Sequence, residues 1–520
     1  MGTEVTRRRF LRALGGCAAY LALTNAVGCD LLGRASKLNS LHPPKISPLH
    51  PTRVWPLSRG SSASPTKAFR SRPDLSPPAA EVTTRAHHTA PGYIFIAPER
   101  GGTRQGGPMI IDDHGQVVWF RPVRSERLFA RDFKVQYYRG EPVLTWWEGF
   151  LGYPLNEYVI ADGSYREITR IRAGNGRSAD HHEFLITPRD TALIIIYDTV
   201  RRDLSPVGGL KDGLVWQGIV QELDIETRKV LFEWHSLEHV GLDETYATPP
   251  NDALPGIDYF HLNSIDIDHD SNLLISARET FTVYKIDRKS GEIIWRLGGK
   301  MSDFEMGEGT RFAYQHDARR HKDGTLTIFD NGTTIFPGGV PRAIEESRGI
   351  VLELDEDKMA ATLVREYTHP EKQFADAGGN MQVLPNGDVF FGWGRALAFS
   401  EFSKDGELLF DANLPPENNS YRAFRFPWKA EPTDEPALAV ERRSDKKVTI
   451  YASWNGATEV ASWEVLCGTR PGQLESLGSV AREGFETAML AQASDDASYV
   501  AVRAKDRSGE ILGASAPVEL

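Results

Sequence analysis

Residues 273–296 decide the fold, and they read LLISARETFTVYKIDRKSGEIIWR. Three short runs in this stretch are rich in β-branched and aromatic residues, at 273–276, 283–286 and 293–296. The segments between them carry turn-forming residues such as Asp287. Short runs of this composition, bounded by turn residues, are typical of β-strands joined by tight turns. The stretch therefore predicts an antiparallel sheet of short strands.

The same pattern recurs along the chain. The copies span residues 92–120, 142–163, 183–234, 273–296, 323–355 and 386–410. Units of about four strands, which bury their faces only against neighbouring copies, are typical of β-propellers. We therefore predict an all-β protein with a six-bladed β-propeller over residues 79–435. A seven-bladed ring and a chain of unrelated antiparallel sheets are the alternatives.

The pattern of apolar and polar residues changes after residue 436. Apolar and polar residues alternate in three runs between turn residues, at 448–454, 462–466 and 499–504. Such alternation over about 80 residues indicates a small sandwich. We predict an Ig/fibronectin-like β-sandwich over 436–520, with a packing or docking role.

The composition argues against a nucleic-acid-binding protein and against a protein of long helices. The 520 residues include 60 Lys and Arg against 71 Asp and Glu, which gives a formal charge of −11. No basic block occurs after the first dozen residues, so a nucleic-acid partner is not expected. The 47 glycines and 31 prolines suit many turns better than long helices.

The first 28 residues are typical of an export signal. A basic head that includes three arginines at 7–9 precedes an uncharged stretch at 13–27. This stretch is shorter than the roughly 20 apolar residues that span a membrane. The arginines followed by Phe10-Leu11 resemble the twin-arginine (Tat) signal of bacteria, which exports folded proteins.

Cys29 ends a segment, Ala-Val-Gly-Cys, that resembles a lipobox. We predict a Tat-type lipoprotein signal peptide at 1–28, lipidation of Cys29 and a flexible tether over 29–78. The protein would then be exported and lipid-anchored to the outer face of the bacterial cytoplasmic membrane or cell envelope. An ordinary cleaved signal with an incidental Cys29 is the alternative.

Histidines recur at one position of the repeat. His182, His261 and His316 open the third, fourth and fifth copies. Aligning those copies on their second strands puts the three histidines within about two residues of one repeat position. Asn380 of the sixth copy falls one place further on. Because rotation about one axis relates equivalent positions of successive blades, we expect these side chains to converge at one mouth of the channel.

Arg278 follows the second strand of its copy, and Asn331 occupies the matching position of the next copy. An arginine among histidines suits a tetrahedral oxyanion, because the guanidinium can hold two oxygens. A histidine in such a setting can act as a nucleophile. The absence of a P-loop or a paired-carboxylate Mg²⁺ motif favours a sulfuryl over a phosphoryl group.

Two other interpretations of the histidines stay open. Each could be a hydrogen-bonded structural residue. Three histidines are also a common metal ligand set, although Arg278 would place a fixed positive charge beside the ion.

Four successive segments resemble the arylsulfotransferase (arylsulfate sulfotransferase) family. They are DYFHLNSI at 258–265, LISAR at 274–278, IWRLGGK at 294–300, and QHDA at 315–318 with FDNG at 329–332. The likeness covers roughly residues 75 to 430, and it implies a six-bladed propeller.

The resemblance implies a sulfotransferase that takes sulfate from a phenolic sulfate ester and not from the nucleotide donor PAPS. His316 matches the family's nucleophile and would carry a transient sulfohistidine. His182 and His261 match its other active-site histidines, Arg278 its sulfate-binding arginine, and Asn263 an asparagine that lines the pocket. The register adds Asn331 and Asn380 as candidate substrate-binding residues. Neither a cofactor nor a catalytic metal is expected.

Two features depart from the family pattern. Periplasmic enterobacterial members carry a disulfide near the nucleophile, whereas no cysteine lies near His316 in this sequence. Near residues 377–380, a threonine of those enzymes is replaced by glycine around Gly378. The second departure bears on the acceptor site.

The expected partners are a phenolic sulfate donor, a phenolic acceptor and a membrane reached through the lipid on Cys29. A homodimer is compatible with the sequence. Two rival functions stay open, a metal-dependent hydrolase or lyase on a propeller and a non-enzymatic surface lipoprotein that binds a ligand.

Overall fold

The computed structural model describes residues 54–56, 69–102, 104–150, 156–249, 256–332, 346–443, 447–494 and 496–520. The expected signal peptide, Cys29 and most of the expected tether lie outside these residues. Within them, no helix is long and apolar enough to cross a membrane.

Antiparallel sheets make up the described chain, as predicted from the repeats. Six of them, sheets 1 to 6, follow one another along the chain between Glu81 and Phe426. Each has four antiparallel strands in the order inner, second, third and outer. In sheets 1 to 6, the inner strands are Ala423–Phe426, Phe129–Tyr138, Ala179–Ile186, Leu262–Ile267, His316–Arg320 and Asn380–Val383. The second strands are Tyr93–Ile96, Glu141–Gly149, Thr191–Arg202, Leu273–Ala277, Leu326–Asp330 and Val389–Gly392.

The remaining strands of these sheets lie further from the inner strands. The third strands are Met109–Ile111, Glu157–Ala161, Gly213–Asp224, Thr282–Ile286, Arg348–Asp355 and Ala398–Phe402. The outer strands are Val117–Phe120, Glu167–Ile171, Val230–His235, Ile293–Gly298, Ala360–Thr368 and Leu408–Asn413. Three further strands extend sheets 3, 5 and 6, namely Ile257–Asp258, Glu305–Met306 and Glu81–Thr84. One short α-helix and three 3₁₀ turns complete this part, at Ser236–His239, Ser205–Val207, Leu242–Glu244 and Gly394–Ala396.

The inner strands contact one another in a closed cycle, from sheet 1 through sheets 2 to 6 and back to sheet 1. Both ends of the segment contribute to the closure. Ala423–Phe426 pairs with Tyr93–Ile96, so the last strand completes the first sheet. Glu81–Thr84 pairs with Leu408–Asn413, so the first strand completes the last sheet. The apolar cores lie between adjacent sheets; one of them joins Ile195 of sheet 3 to Ile275 of sheet 4.

Two further sheets are built mainly from residues 437–520. Sheet 7 contains Val54–Pro56, Glu486–Gln492, Lys447–Ser453 and Ala437–Arg442. Sheet 8 contains Gln473–Ala481, Ser462–Arg470, Tyr499–Lys505, Ile511–Ala514 and Val518–Glu519. The two sheets share one apolar core, in which Ile450 and Met489 of sheet 7 meet Trp463 and Val502 of sheet 8.

Part of the segment expected to be a tether is packed instead. Val54–Pro56 pairs with Glu486–Gln492, and the Val54 side chain is buried in the core shared by sheets 7 and 8. Ser71 donates hydrogen bonds of 2.6 Å to Glu486 from both its backbone nitrogen and its hydroxyl. Val54–Pro56 and Ser71 of the expected tether are therefore held against Glu486–Gln492.

Candidate active site

Three histidines from separate sheets meet at one end of the inner strands. His182, His261 and His316 each offer a ring nitrogen, and these atoms all lie within 4.8 Å of one another. The ring centroids are 5.0 Å apart for His182 and His261, and 6.3 and 6.4 Å from His316. The convergence expected from the repeat register is therefore present in the structure.

Irregular strand pairing directs these side chains inward. The register shifts between residues 179 and 184, 262 and 264, and 316 and 319, all in inner strands. In a regular strand, consecutive side chains point to opposite faces, and a bulge removes that constraint. His182 and Glu183 lie in the first of these irregular stretches, and both are buried.

Left-handed backbone conformations accompany the histidines. His261, Tyr314 and Asp317 have φ angles of 53°, 51° and 54°. Non-glycine residues adopt this region at an energetic cost, and such residues cluster at functional sites. The surrounding structure thus holds the cluster in a conformation that the local chain does not favour.

Each histidine ring is fixed through its Nδ1 atom. Asp180 contacts Nδ1 of His182, and Oδ2 of Asp258 lies 2.5 Å from Nδ1 of His261. Nδ1 of His316 donates instead to Oδ1 of Asn331, at 2.7 Å. When Nδ1 carries the donated proton of a neutral ring, Nε2 keeps its lone pair. The Nε2 atoms are therefore the nitrogens left to meet a ligand.

Burial governs the ionisation of the cluster. It lowers the pKa of His316 well below the usual value, and His182, His261 and Arg278 lower it further. Burial also lowers the pKa of His261, with Arg278 as the next cause. The same effect raises the pKa of Asp258 to about 6. At neutral pH the His316 ring is thus uncharged, as a nitrogen nucleophile requires.

Arg278 supplies the positive charge of the site. Its Nη1 lies 3.4 Å from Nε2 of His261, and its backbone nitrogen donates to the His261 carbonyl. Its Nη2 lies 3.0 Å from Glu279, a carboxyl whose pKa burial raises to about 7. The guanidinium also lies over the ring of Tyr314, at 4.9 Å. This arrangement suits an anion held between the guanidinium and the imidazoles.

The three candidate asparagines occupy different places. Asn331 holds His316, and its Nδ2 donates to the carbonyls of Ala375 and Gly378 at 2.8 and 2.9 Å. Asn263 donates at 2.7 Å to the carbonyl of Gln315, while its own buried Oδ1 has no partner among the described residues. Asn263 and Asn331 therefore support the segment that carries His316.

The structure does not bring Asn380 into contact with the histidines. Both of its amide atoms bond the backbone of Ala423, at 2.8 and 2.9 Å. This pairing ties sheet 6 to sheet 1 and occupies the groups that a substrate would need. Asn380 is thus placed as a link between sheets.

Tyr421 fills the space beside Gly378, the position where the sequence departs from the family pattern. A Cβ atom at Gly378 would lie 2.9 Å from the Tyr421 carbonyl oxygen and 3.1 Å from its ring, and Gly378 has a φ of +70°. The Tyr421 ring lies 5.4 Å from His182 and 6.3 Å from His316. A larger residue at 378 is incompatible with this placement of Tyr421.

Six buried or largely buried charges lie beneath the histidines, and we refer to them as the axial charge network. They are Asp132, Lys134, Glu183, Asp317, Arg319 and Arg422. Glu183 contacts all three cations of the set, with Lys134 at 2.6 Å and Arg422 at 3.2 Å. Three positive and three negative charges balance, which buried ions require.

The axial charge network also separates the histidine site from a cavity at the other end of the inner strands. Its members Lys134, Asp317 and Arg319 line a cavity of about 590 Å³, together with the opposite ends of the inner strands. On the other side, three residues next to network members carry the rings of the site: His182, His316 and Tyr421. The network therefore lies between the histidine rings and this cavity.

Several site residues were not singled out from the sequence. Asp180 and Asp258 lie two and three residues before a clustered histidine, a spacing that could have indicated their role. Tyr197, whose ring lies 5.7 Å from those of His182 and His261, and Tyr421 carry no such local signal.

The site and the sheets together define a β-sheet protein that gathers three imidazoles and a guanidinium at one site. Residues 134–414 match the family described as Arylsulfotransferase (ASST). The match covers more than half of the chain, so the protein belongs to the arylsulfotransferase family, as its four motifs predicted. Membership of this family implies sulfotransferase activity.

Comparison with solved structures gives distant likenesses. A protein of unknown function from Bacteroides caccae is 12% identical, with a TM-score of 0.37, over 62% of this chain and 94% of that one. A catalytically inactive variant of virginiamycin B lyase from Staphylococcus aureus, with quinupristin, is 7% identical, with a TM-score of 0.32, over 79% and 99%. The Dos1 propeller is 10% identical, with a TM-score of 0.29, over 80% and 96%. Among curated proteins, none matches the chain.

Proposed function

We propose that this protein is a PAPS-independent sulfotransferase that moves a sulfuryl group from a phenolic sulfate ester to a phenolic acceptor. The reaction is ping-pong and passes through a sulfohistidine on His316. The observation that carries the proposal is the contrast in Nδ1 partners, an amide for His316 and carboxylates for His182 and His261. An amide leaves a ring neutral, whereas a carboxylate stabilises the charged ring. His316 therefore suits attack, and His182 suits proton transfer, because burial and Arg278 lower the pKa of His261.

In the first half-reaction, Nε2 of His316 attacks the sulfur of the donor. A nitrogen–sulfur bond forms, the sulfur–oxygen bond to the aryl group breaks, and the phenolate leaves with the electron pair. Arg278 stabilises the negative charge on the sulfuryl oxygens. Preorganised donors of this kind are often worth about 2.7–4 kcal/mol each in the transition state.

In the second half-reaction, the oxygen of the acceptor phenol attacks the sulfohistidine. The nitrogen–sulfur bond breaks, and the phenol proton passes to a neighbouring histidine. His182 is better suited to accept it than His261, because Nη1 of Arg278 lies 3.4 Å from Nε2 of His261 and disfavours a second positive charge there.

The direct test is to transfer radioactive sulfur from a donor to the protein and to locate the labelled residue. Incubation with a ³⁵S-labelled aryl sulfate and no acceptor should leave the label on His316, and added phenol should remove it as phenyl sulfate. His316→Ala should neither take up the label nor transfer it. His321→Ala is a matched control, since His321 lines the opposite cavity and bonds Thr327 at 2.8 Å. Transfer by His316→Ala at the parent rate would refute the proposal.

A metal-dependent hydrolase or lyase is the second candidate, and the spacing of the three histidine nitrogens within 4.8 Å favours it. Neutral imidazoles at such spacing can bind Zn²⁺ or a similar ion. The guanidinium of Arg278 beside His261 disfavours it. Elemental analysis of active protein separates the two, because the sulfotransferase needs no stoichiometric transition metal. A non-enzymatic ligand-binding lipoprotein would give neither turnover nor a labelled histidine.

We further propose a six-bladed propeller for sheets 1 to 6 and an Ig/fibronectin-like sandwich for sheets 7 and 8. The closed cycle of inner strands supports the first, and the shared core of sheets 7 and 8 supports the second. An experimental structure would test both assignments.

Export and lipid anchoring through Cys29 also belong to the proposal. Metabolic labelling with a fatty acid should mark the wild type in the membrane fraction. Cys29→Ser should lose the label and leave the membrane. Sedimentation of the soluble variant would then give the oligomeric state, for which a homodimer is the candidate.

A further inference from the structure

The hydroxyl of Tyr421 is a buried polar group without a hydrogen-bond partner among the described residues. The residue is 5% exposed, and its ring stands nearly perpendicular to those of His181 and His182, at 5.3 and 5.4 Å. The ring of His316 lies 6.3 Å away. Buried tyrosine hydroxyls normally find a partner, so one left unpaired beside a ligand site points to the ligand.

Two neighbouring tyrosines show the ordinary arrangement. The hydroxyl of Tyr197 donates to the Leu262 carbonyl at 2.6 Å, and that of Tyr158 donates to the Glu183 carbonyl at 2.9 Å. Both hydroxyls are thus committed to backbone oxygens. Tyr421 differs from them, although it is nearly as buried as Tyr158, which is 0% exposed.

The surroundings hold Tyr421 in place. Its carbonyl accepts a 2.9 Å hydrogen bond from the backbone nitrogen of Gly379, and Gly378 packs against its ring. The guanidinium of Arg422 lies 5.1 Å from the centre of the ring. Burial raises the pKa of the phenol, so the hydroxyl keeps its proton and can donate it. A fixed, neutral donor of this kind is preorganised for an anion.

The position of Tyr421 in the cycle complements that of Arg278. Tyr421 lies two residues before the inner strand of sheet 1, whereas Arg278 follows the second strand of sheet 4. These two sheets stand opposite each other in a cycle of six. The two donors therefore approach the histidines from opposite sides of the axis.

We propose that the Tyr421 hydroxyl donates a hydrogen bond to an oxygen of the tetrahedral sulfate or sulfuryl group held among His182, His261 and His316. This inference deepens the proposed function and rests on it for the identity of the anion. Tyr421 becomes a substrate-contacting residue that shares the charge of the anion with Arg278.

The test is Tyr421→Phe, with inorganic sulfate as the probe and calorimetry at constant ionic strength as the measurement. Sulfate should bind the variant about tenfold more weakly, as expected for loss of a hydrogen bond to a charged group. The unfolding midpoint should stay the same or rise, because the hydroxyl has no protein partner to lose. The control is Tyr367→Phe in the outer strand of sheet 5, where the hydroxyl donates to Lys404; it should bind sulfate like the wild type.

Equal sulfate affinity in Tyr421→Phe and wild type would overturn the inference, as would a wild type that binds no sulfate. The outcome is separate from that of the proposed function, because no aryl sulfate is present. A protein that binds sulfate through Tyr421 and yet never labels His316 would retain this inference and lose the sulfotransferase.

Discussion

Asn331 accepts a 2.7 Å hydrogen bond from Nδ1 of His316 and thereby presents Nε2 of that ring to the site. An amide oxygen can only accept, so the tautomer of His316 is fixed without a neighbouring negative charge. The same asparagine donates to the carbonyls of Ala375 and Gly378, which fixes its own orientation. The choice of amide over carboxylate has consequences that can be measured.

Asn331→Asp should raise the pKa of His316, because an anion beside the ring favours the imidazolium. The protonated ring cannot attack, so the acid limb of the pH–rate profile should move upward by about one unit or more. The measurement is kcat/KM for 4-nitrophenyl sulfate across pH. An acid limb at the same pH in variant and wild type would contradict this role for Asn331.

His182→Ala should separate the two half-reactions. Departure of 4-nitrophenolate needs no proton, so a burst of this product should persist. Transfer to phenol needs a base, and the steady-state rate should fall by about 10²–10⁴-fold. Stopped-flow absorbance resolves the two phases, and His316→Ala should lack both. Equal loss of burst and turnover in His182→Ala would assign His182 to the first step instead.

Sulfate affinity should weaken as the pH rises through about 7, the value to which burial raises the pKa of Glu279. Below this pH the carboxyl is neutral, and Arg278 is free to hold the anion. Above it the carboxylate competes for the guanidinium 3.0 Å away. The expected change is about tenfold between about pH 5.5 and about pH 8.5, equivalent to about 1.4 kcal/mol.

Glu279→Gln is the matching variant for this titration. At high pH it should bind sulfate about tenfold more tightly than the wild type does at the same pH. Asp258, whose pKa lies at about 6, stays in both proteins, so the difference between their profiles isolates Glu279. Parallel profiles would show that another group governs the binding.

Arg422→Met should destabilise the protein strongly. It would leave Asp132 and Glu183 facing each other with Lys134 and Arg319 as the remaining cations. Removing one partner from a buried ion network typically costs about 3–5 kcal/mol. Urea denaturation should show this as a lower midpoint. Arg139→Ala, which breaks an exposed pair with Glu226, should leave the midpoint nearly unchanged.

Repetition explains how much of the site could be predicted from the sequence. His182, His261 and His316 recur at one position of the repeat, and rotation about the axis of the cycle brings equivalent positions together. Arg278 follows the same logic, since it comes directly after a second strand and its backbone bonds His261.

The residues that were missed depend on departures from the repeat. Asp258 reaches His261 because Ile257–Asp258 adds a short parallel strand to sheet 3, an irregularity with no periodic signature. Asn380 keeps the repeat position, yet its amide is occupied by Ala423. Tyr421 precedes a closing strand that belongs to the first sheet in space and follows the sixth in sequence.

The closing strand also has a consequence for biosynthesis. A ribosome makes His182, His261 and His316 well before it reaches Tyr421, Arg422 and Ala423–Phe426. A nascent chain that stops short of residue 420 would contain every imidazole of the cluster but neither the cation that underlies it nor the strand that seals the cycle. Premature termination products should therefore be inert, and competence for sulfuryl transfer should arise late, when the final segment docks.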